Sequence, residues 1–147
     1  MLKYILDNDS QIEVISNDIQ KILKMEYVDI IDPKKWKEPY YILPSIEEWL
    51  CAFRDAGFVV TDSFHGTVFC ILMHVPFAVY VNKSRGCTRF NTLLSYVGLN
   101  YRIIESSDDL GKILSTPIDW LSVDRYIDNY RNSSLCFIKE SLKMNDL

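Results

Sequence analysis

Several hallmarks of particular protein classes are missing from this sequence of 147 residues. No window reaches the roughly 18 apolar residues that a membrane-spanning helix needs, and the N-terminal residues lack the apolar region of a signal peptide. The formal net charge is −4 and no basic stripe occurs, which argues against a nucleic-acid partner. The sequence therefore predicts a globular domain without a membrane span.

Metal-binding and disulfide patterns are missing as well. The four cysteines show no Cys-x-x-Cys spacing, and only two histidines could act as further ligands. We interpret Cys51, Cys70, Cys87 and Cys136 as free thiols in a reducing compartment. We therefore expect a cytoplasmic protein, at most peripheral at the inner face of the membrane, with no metal and no cofactor.

Apolar runs and amphipathic segments alternate along the chain, as in a parallel α/β sheet. We predict a Rossmann-like three-layer αβα sandwich with a mainly parallel sheet of about five to six strands. The predicted strands are residues 2–6, 27–31, 58–61, 77–81 and 101–104, with a further short strand at 40–43. The predicted helices are residues 10–25, 45–57, 64–73, 91–97, 107–114 and 123–144, and the first two start with the capping boxes S-Q-I-E and S-I-E-E.

The candidate site lies at the start of the most apolar helix. Ser63 is a good N-cap, so Phe64, His65 and Gly66 form the first helical turn. Their backbone N–H groups have no intrahelical partner and favour an anion. Gly66 would allow a ligand to approach the backbone, and His65 can give or take a proton near neutral pH.

A basic segment follows the next predicted strand and carries Lys83, Arg85 and Arg89. In a parallel sheet this segment and the turn at His65 lie at the same edge, where ligands bind. Two arginines beside a helix N-terminus are suited to hold a phosphate and a carboxylate through paired hydrogen bonds. We therefore expect an anionic substrate at this edge.

The motifs of this region resemble the C-terminal half of the polysaccharide pyruvyl transferases. They are D-S-F-H-G-T-V-F, then P-F, N-K-x-R-G-x-x-R-F, x-x-L-L and G-L-x-x-R. The resemblance implies that residues 1–147 form a single Rossmann-like domain, equivalent to the C-terminal domain of a B-type glycosyltransferase fold, with an N-terminal half missing. It further implies transfer of the pyruvyl group of phosphoenolpyruvate to two hydroxyls of one sugar, as a ketal, in cell-surface polysaccharide biosynthesis.

The resemblance also implies roles for individual residues. His65 falls on the family's histidine, which we take as catalytic, and Arg85 and Arg89 fall on its arginines. The acceptor is a sugar or a lipid-linked glycan, and the domain's own N-terminal half is a partner. The expected substrate-binding residues are Ser63, Phe64, Gly66, Lys83, Arg85 and Arg89. Asp62 remains open: it could orient His65, bind a sugar hydroxyl or tie down the loop.

Three other functions fit parts of the sequence. A nucleotide-sugar glycosyltransferase donor domain would share the fold and the anion site. A non-catalytic module that binds a phosphate ligand would share the site without the chemistry. A receiver-like signalling domain would use Asp62 as phosphate acceptor, although the residues after Asp62 fit a helix N-terminus instead.

Overall fold

The computed structural model describes residues 1–7, 9–31, 38, 40, 42–81 and 87–143. Strands and helices alternate over these residues as the sequence predicts. The strands are β1 Leu2–Tyr4, β2 Val28–Asp29, β3 Val59–Thr61, β4 Phe77–Tyr80 and β5 Ile103–Ile104. The helices are α1 Ser10–Leu23, α2 Ile46–Arg54, α3 Phe64–Leu72, α4 Thr88–Tyr96, α5 Leu110–Ser115 and α6 Trp120–Lys143, with single 3₁₀ turns at Asn100–Arg102 and Ser107–Asp109.

The strands form one parallel sheet in the order β2-β1-β3-β4-β5. All four neighbouring pairs are parallel, and the register sets Leu2 opposite both Val28 and Val59. The predicted α/β class with a parallel sheet is therefore confirmed.

Alternate side chains of each strand enter two separate cores, as the period of two along a strand requires. Val59, Phe77 and Val79 pack beneath α2, α3, α4 and the start of α6. Val60 and Ala78 pack beneath α1 and α5 on the opposite face. The result is the three-layer sandwich that the sequence predicts.

Buried charges tie the outer layers to the sheet. Lys3 on β1 is buried, and its Nζ lies 3.1 Å from Glu13 Oε2 on α1 and 3.2 Å from Asp29 Oδ1 on β2. Arg102, the last residue of the G-L-x-x-R motif, is also buried and donates to the carbonyls of Ile113 and Thr116. Arg102 therefore fixes α5 against the sheet.

Some predicted element boundaries are wrong in detail. Helix α1 is capped by Asp9, whose side chain accepts from the N–H of Gln11, so Ser10 is the first helical residue and not the cap. The capping box of α2 at Ser45 is present, but α2 ends at Arg54, because Asp55 leaves helical geometry before Gly57 is reached. Ile46, the first residue of α2, is 75% exposed.

The described residues before α2 do not form the predicted short strand at 40–43. Ile42 and Leu43 are described and belong to no strand, while part of the predicted 40–43 strand lies outside the described residues. Over the described ranges, none of the helices is both long and apolar enough to cross a membrane.

Candidate active site

The crevice beside Asp62 lies where the strand order reverses. The chain passes from β1 to β2 on one side and to β3 on the other, so a crevice forms at the carboxyl ends of β1 and β3. Asp62 follows β3 directly, and its two carboxylate oxygens accept from the N–H groups of Leu6 and Asp7, each at 2.8 Å. Asp62 thus ties the end of β1 to the end of β3, the third of the roles left open by the sequence.

These hydrogen bonds also affect where a ligand anion can bind. Burial raises the pKa of Asp62 above its usual value, while the two backbone N–H groups favour the ionised form. Because those N–H groups already bind a carboxylate, a ligand anion would meet the Asp62 charge at this crevice. The candidate anion site is therefore one strand further along, at the ends of β3 and β4.

The first turn of α3 occupies that place. Ser63 is the N-cap, and its Oγ accepts from the N–H of Gly66 at 3.3 Å. Ser63 is only 4% exposed, so its side chain lies below the surface. The sequence predicts a cradle of three N–H groups, but the Gly66 N–H is used by the cap. The N–H groups of Phe64 and His65 have no partner among the described residues.

Gly66 serves packing inside the domain. A Cβ at Gly66 would lie 2.8 Å from Thr61 Oγ1, 3.0 Å from Tyr4 Cδ1 and 3.4 Å from Phe53 Cζ. Its missing side chain lets α3 approach β3 and β1, so the hydrogen atom of Gly66 faces the core and not a ligand. The interpretation of Gly66 as an opening for a ligand is therefore corrected.

Thr61 is a supporting residue that the sequence analysis did not single out. Its Oγ1 donates to the carbonyl of Tyr4 at 2.7 Å and accepts from the N–H of Ser63 at 3.0 Å. The signal was present in the sequence, since a threonine that ends a fully buried aliphatic strand must satisfy its hydroxyl locally. Thr61 therefore fixes the turn that presents His65.

Arg89 lies beside this turn, but on a helix and not in a loop. Helix α4 begins at Thr88, three residues earlier than predicted, so Arg89 is in its first turn. The guanidinium Cζ of Arg89 lies 5.4 Å from the centre of the Phe64 ring, a cation–π contact. The structure therefore brings Phe64, His65 and Arg89 together, while Lys83 and Arg85 lie outside the described residues.

The starts of α3 and α4 and the Arg89 side chain contribute positive charge at this edge, beside the Asp62 carboxylate. The amino ends of α3 and α4 both open here, and the N-cap residue of α4, Cys87, makes no side-chain cap bond. Each helix terminus contributes about half a positive charge, and Arg89 adds a full one. No group of three potential metal ligands occurs in the described part of the chain. The site is suited to an anion that also needs a proton donor or acceptor.

The second histidine is held differently. His74 follows α3 at its other end with φ +56°, and its Nε2 lies 2.9 Å from Asp124 Oδ1. Its ring stacks on Trp120, with centroids 5.0 Å apart and planes at 20°. His74 thus docks α6 onto the domain.

The fold and the site define an α/β domain that presents a histidine and an arginine at the carboxyl edge of a parallel sheet. Residues 1–84, more than half of the chain, match the family model described as polysaccharide pyruvyl transferase. The chain therefore belongs to the polysaccharide pyruvyl transferase family, which confirms the resemblance seen in the motifs. No curated protein and no solved structure matches the chain.

Proposed function

We propose that this chain is the donor-binding half of a transferase that moves the pyruvyl group of phosphoenolpyruvate onto sugar hydroxyls as a ketal, in the synthesis of a cell-surface polysaccharide such as an exopolysaccharide or capsule. In this proposal His65 is the catalytic acid and Arg89 holds the donor. The acceptor sugar, free or lipid-linked, and the base that activates it belong largely to an N-terminal half. On its own the chain then has little or no turnover.

One observation carries the proposal. The exposed His65 ring and the Arg89 guanidinium flank the same aromatic side chain, Phe64, at the amino end of α3. The centroids of the Phe64 and His65 rings are 6.1 Å apart, and the Arg89 Cζ lies 5.4 Å from the Phe64 centroid. We propose that one small anion contacts both the acid and the cation. Phosphoenolpyruvate is such an anion, with a carboxylate and a phosphate on adjacent atoms of a three-carbon frame.

The chemistry assigns a step to each group. Phosphoenolpyruvate is an enol ester that stays inert until C3 takes a proton, which leaves C2 electrophilic. Protonated His65 supplies that proton, and a sugar hydroxyl adds to C2 while its proton passes to the base. Phosphate then leaves with the electrons of its C–O bond, and a second hydroxyl adds to C2 and loses its proton to close the ketal. General acid help of this kind is typically worth about 10²–10⁴ in rate.

The positive groups of the site act on the negative charges of the phosphate and the carboxylate. Arg89 and the N–H groups of Phe64 and His65 neutralise the departing phosphate or the carboxylate, and pre-oriented donors typically contribute about 10²–10³ each in rate. Lys83 and Arg85 are proposed as further donors from the same side, on the strength of the family's motif.

The direct test is a titration of the chain with phosphoenolpyruvate, followed by backbone amide NMR. We expect shifts at residues 63–66 and 87–90 that are weakened in Arg89→Ala. Arg125→Ala is the matched control, because Arg125 is an exposed arginine on α6. Absence of any shift at millimolar ligand would contradict donor binding by this half, and shifts caused by a nucleoside diphosphate instead would favour a nucleotide-sugar donor.

A further inference from the structure

An apolar groove lies between α3 and α4 on one face of the sheet. The two helices run side by side in the same direction, because each of them connects neighbouring strands of the parallel sheet. The groove has a volume of about 520 Å³, and its walls include Val68 and Leu72 of α3 and Leu93 and Val97 of α4. We call it the α3–α4 groove.

One end of the α3–α4 groove opens at the candidate site. The amino ends of α3 and α4 lie there, and Phe64 and Arg89 line the groove at this point. The Arg89 guanidinium lies over the Phe64 ring, 5.4 Å from its centre. Among the described residues that line the groove, Arg89 is the one with a charge. The groove therefore carries its charge at the end that adjoins the candidate site.

Helix α6 bounds the other end of the groove. Trp120 stacks on His74, just after α3, and the Tyr130 ring packs edge-on against Tyr96, the last residue of α4, at 4.9 Å. Helix α6 thus lies across the carboxyl ends of α3 and α4. Ile127 and Tyr130 line the groove at this end. A molecule that enters beside Arg89 would therefore stop against α6.

The polar groups of the groove are confined to its open half. Thr88, Arg89 and Thr92 are the polar lining residues, and all three belong to the first five residues of α4. The other lining side chains are apolar or aromatic. A sugar or a nucleotide carries polar groups along its whole length, and burying them against apolar side chains costs free energy. The groove instead suits an amphiphile with an anionic head beside Arg89.

The size and shape of the groove favour a small molecule over a protein segment. Ligand sites typically have volumes of about 300–1,000 Å³ and an apolar lining, with a few polar groups that fix the orientation of the ligand. The α3–α4 groove has these properties. A helix from another domain is about 10–12 Å wide, and along this groove it would collide with α6. A flexible hydrocarbon chain can end there.

The length of the groove sets the length of the chain. Helix α3 has nine residues, which span about 13 Å at 1.5 Å per residue. An extended hydrocarbon chain advances about 1.25 Å per carbon, from C–C bonds near 1.5 Å and angles near 111°. A chain of about ten carbons therefore reaches from Arg89 to α6.

We propose that the α3–α4 groove binds the hydrocarbon chain of a single long-chain phosphate ester. The phosphate contacts Arg89, and the end of the chain packs against Ile127 and Tyr130. The ligand binds as a monomer from solution and not as part of a membrane surface. This inference does not depend on the proposed function, although the same Arg89 holds the donor there, so the two ligands would exclude each other.

Calorimetric titration of the intact chain with hexyl, octyl, decyl and dodecyl phosphate tests the length of the site. Each ester is used below the concentration at which it forms micelles. The dissociation constant should fall by about three- to fourfold for each added CH₂ group up to decyl phosphate, and little from decyl to dodecyl. Affinities that do not depend on chain length, or absence of binding by decyl phosphate at millimolar concentration, would overturn the proposal.

The head group is tested by comparing octyl phosphate with octanol. Octyl phosphate should bind about 10-fold or more tightly, as expected for a hydrogen bond to a charged group. In Arg89→Ala this preference should largely disappear, whereas the matched variant Arg125→Ala, an exposed arginine on α6, should keep it. An equal preference in both variants would show that the phosphate does not contact Arg89, contrary to the proposal.

Two tryptophan variants locate the chain. Thr92 and Asn91 are neighbouring exposed residues of α4, but only Thr92 is among the lining residues of the groove. Thr92→Trp should weaken decyl phosphate binding by about 10-fold or more, which corresponds to about two buried CH₂ groups. Asn91→Trp should stay within about threefold of the parent. Circular dichroism should show native helix content for both.

Vesicles of phosphatidylglycerol separate the monomeric ligand from a membrane surface. The expected result is saturable binding of monomeric decyl phosphate and no sedimentation of the chain with the vesicles. Sedimentation with vesicles in the absence of saturable decyl phosphate binding would overturn the proposal, as would equal effects of the two tryptophan variants.

Discussion

The two histidines of this chain stand at opposite ends of the same helix and differ in what surrounds them. At the amino end of α3, His65 is exposed, and no hydrogen bond or ion pair reaches its ring from the described residues. At the carboxyl end, His74 bonds to Asp124 and stacks on Trp120. Among the described residues, neither ring nitrogen of the first histidine has a partner, whereas the ring of the second holds α6.

The fold places the two histidines in opposite electrostatic surroundings, at the two ends of a helix of nine residues. A histidine that follows a helix C-terminus meets partial negative charge and a partner carboxylate, which suits a docking role. A histidine in a first helical turn meets partial positive charge, and with Arg89 alongside it suits an anionic ligand.

The largest expected effect is the difference in kcat between His65→Ala and His74→Ala. In a transferase assembled from this chain and the N-terminal half that we propose for it, His65→Ala should lower kcat by about 10²–10⁴, the worth of a general acid. His74→Ala should leave kcat within about threefold, because His74 lies at the opposite edge of the sheet. Near-normal turnover of His65→Ala, measured as phosphate release, would remove His65 from the mechanism.

Arg89 should dominate donor affinity. A hydrogen bond to a charged group is worth about 1.5–3 kcal/mol, so Arg89→Ala should weaken phosphoenolpyruvate binding by about 10- to 150-fold. Calorimetric titration measures this, with Arg125→Ala as the matched loss of one exposed arginine. Equal affinities of the two variants would show that the donor does not touch the start of α4.

Gly66 and Gly111 should respond oppositely to alanine. At Gly66 a methyl group meets Thr61 Oγ1 and the Tyr4 ring, and overpacking costs about 1–3 kcal/mol. At Gly111, in α5, nothing lies within 4 Å, so alanine should stabilise by up to about 1 kcal/mol through helix propensity. Urea unfolding compares the two, and a stable Gly66→Ala would mean that the turn at His65 is loosely packed.

His74→Ala should change stability where His65→Ala does not. Loss of the stack on Trp120 and of the bond to Asp124 should lower the free energy of unfolding by about 1 kcal/mol. Because His65 is exposed and its ring meets only Phe64, edge-on, among the described residues, His65→Ala should stay within about 0.5 kcal/mol of the parent. A double-mutant cycle of His74 with Asp124 checks the cause, and zero coupling would contradict it.

The smallest effect is a pH dependence from Asp62. Burial raises the pKa of Asp62 from its usual 3.8, so the folded state holds the proton more tightly than the unfolded state. The stability that Asp62 contributes is therefore fully present below pH 3.8 and is lost as the pH rises through its folded pKa. Asp62→Asn should remove this part of the dependence in acid and urea unfolding. An unchanged pH profile would show that the carboxylate is well solvated.

Much of this arrangement could be predicted from local sequence. The alternation of apolar runs gave the parallel sheet, and Ser63 before an apolar helix placed His65 in the first turn. The register between distant strands could not be predicted, and so neither could the bonds from Asp62 to Leu6 and Asp7. Arg89 was misplaced in a loop because Cys87 is a poor N-cap, so no capping signal marked the true start of α4.

The most direct test of the division between the two histidines is an NMR spectrum of the imidazole rings. The chain has only two histidines, so the spectrum of histidine-labelled protein contains two sets of ring signals, which His74→Ala assigns. The account predicts that phosphoenolpyruvate shifts the ring signals of His65 in a saturable manner and leaves those of His74 in place. Saturable binding of phosphoenolpyruvate that leaves the His65 signals unmoved would contradict it.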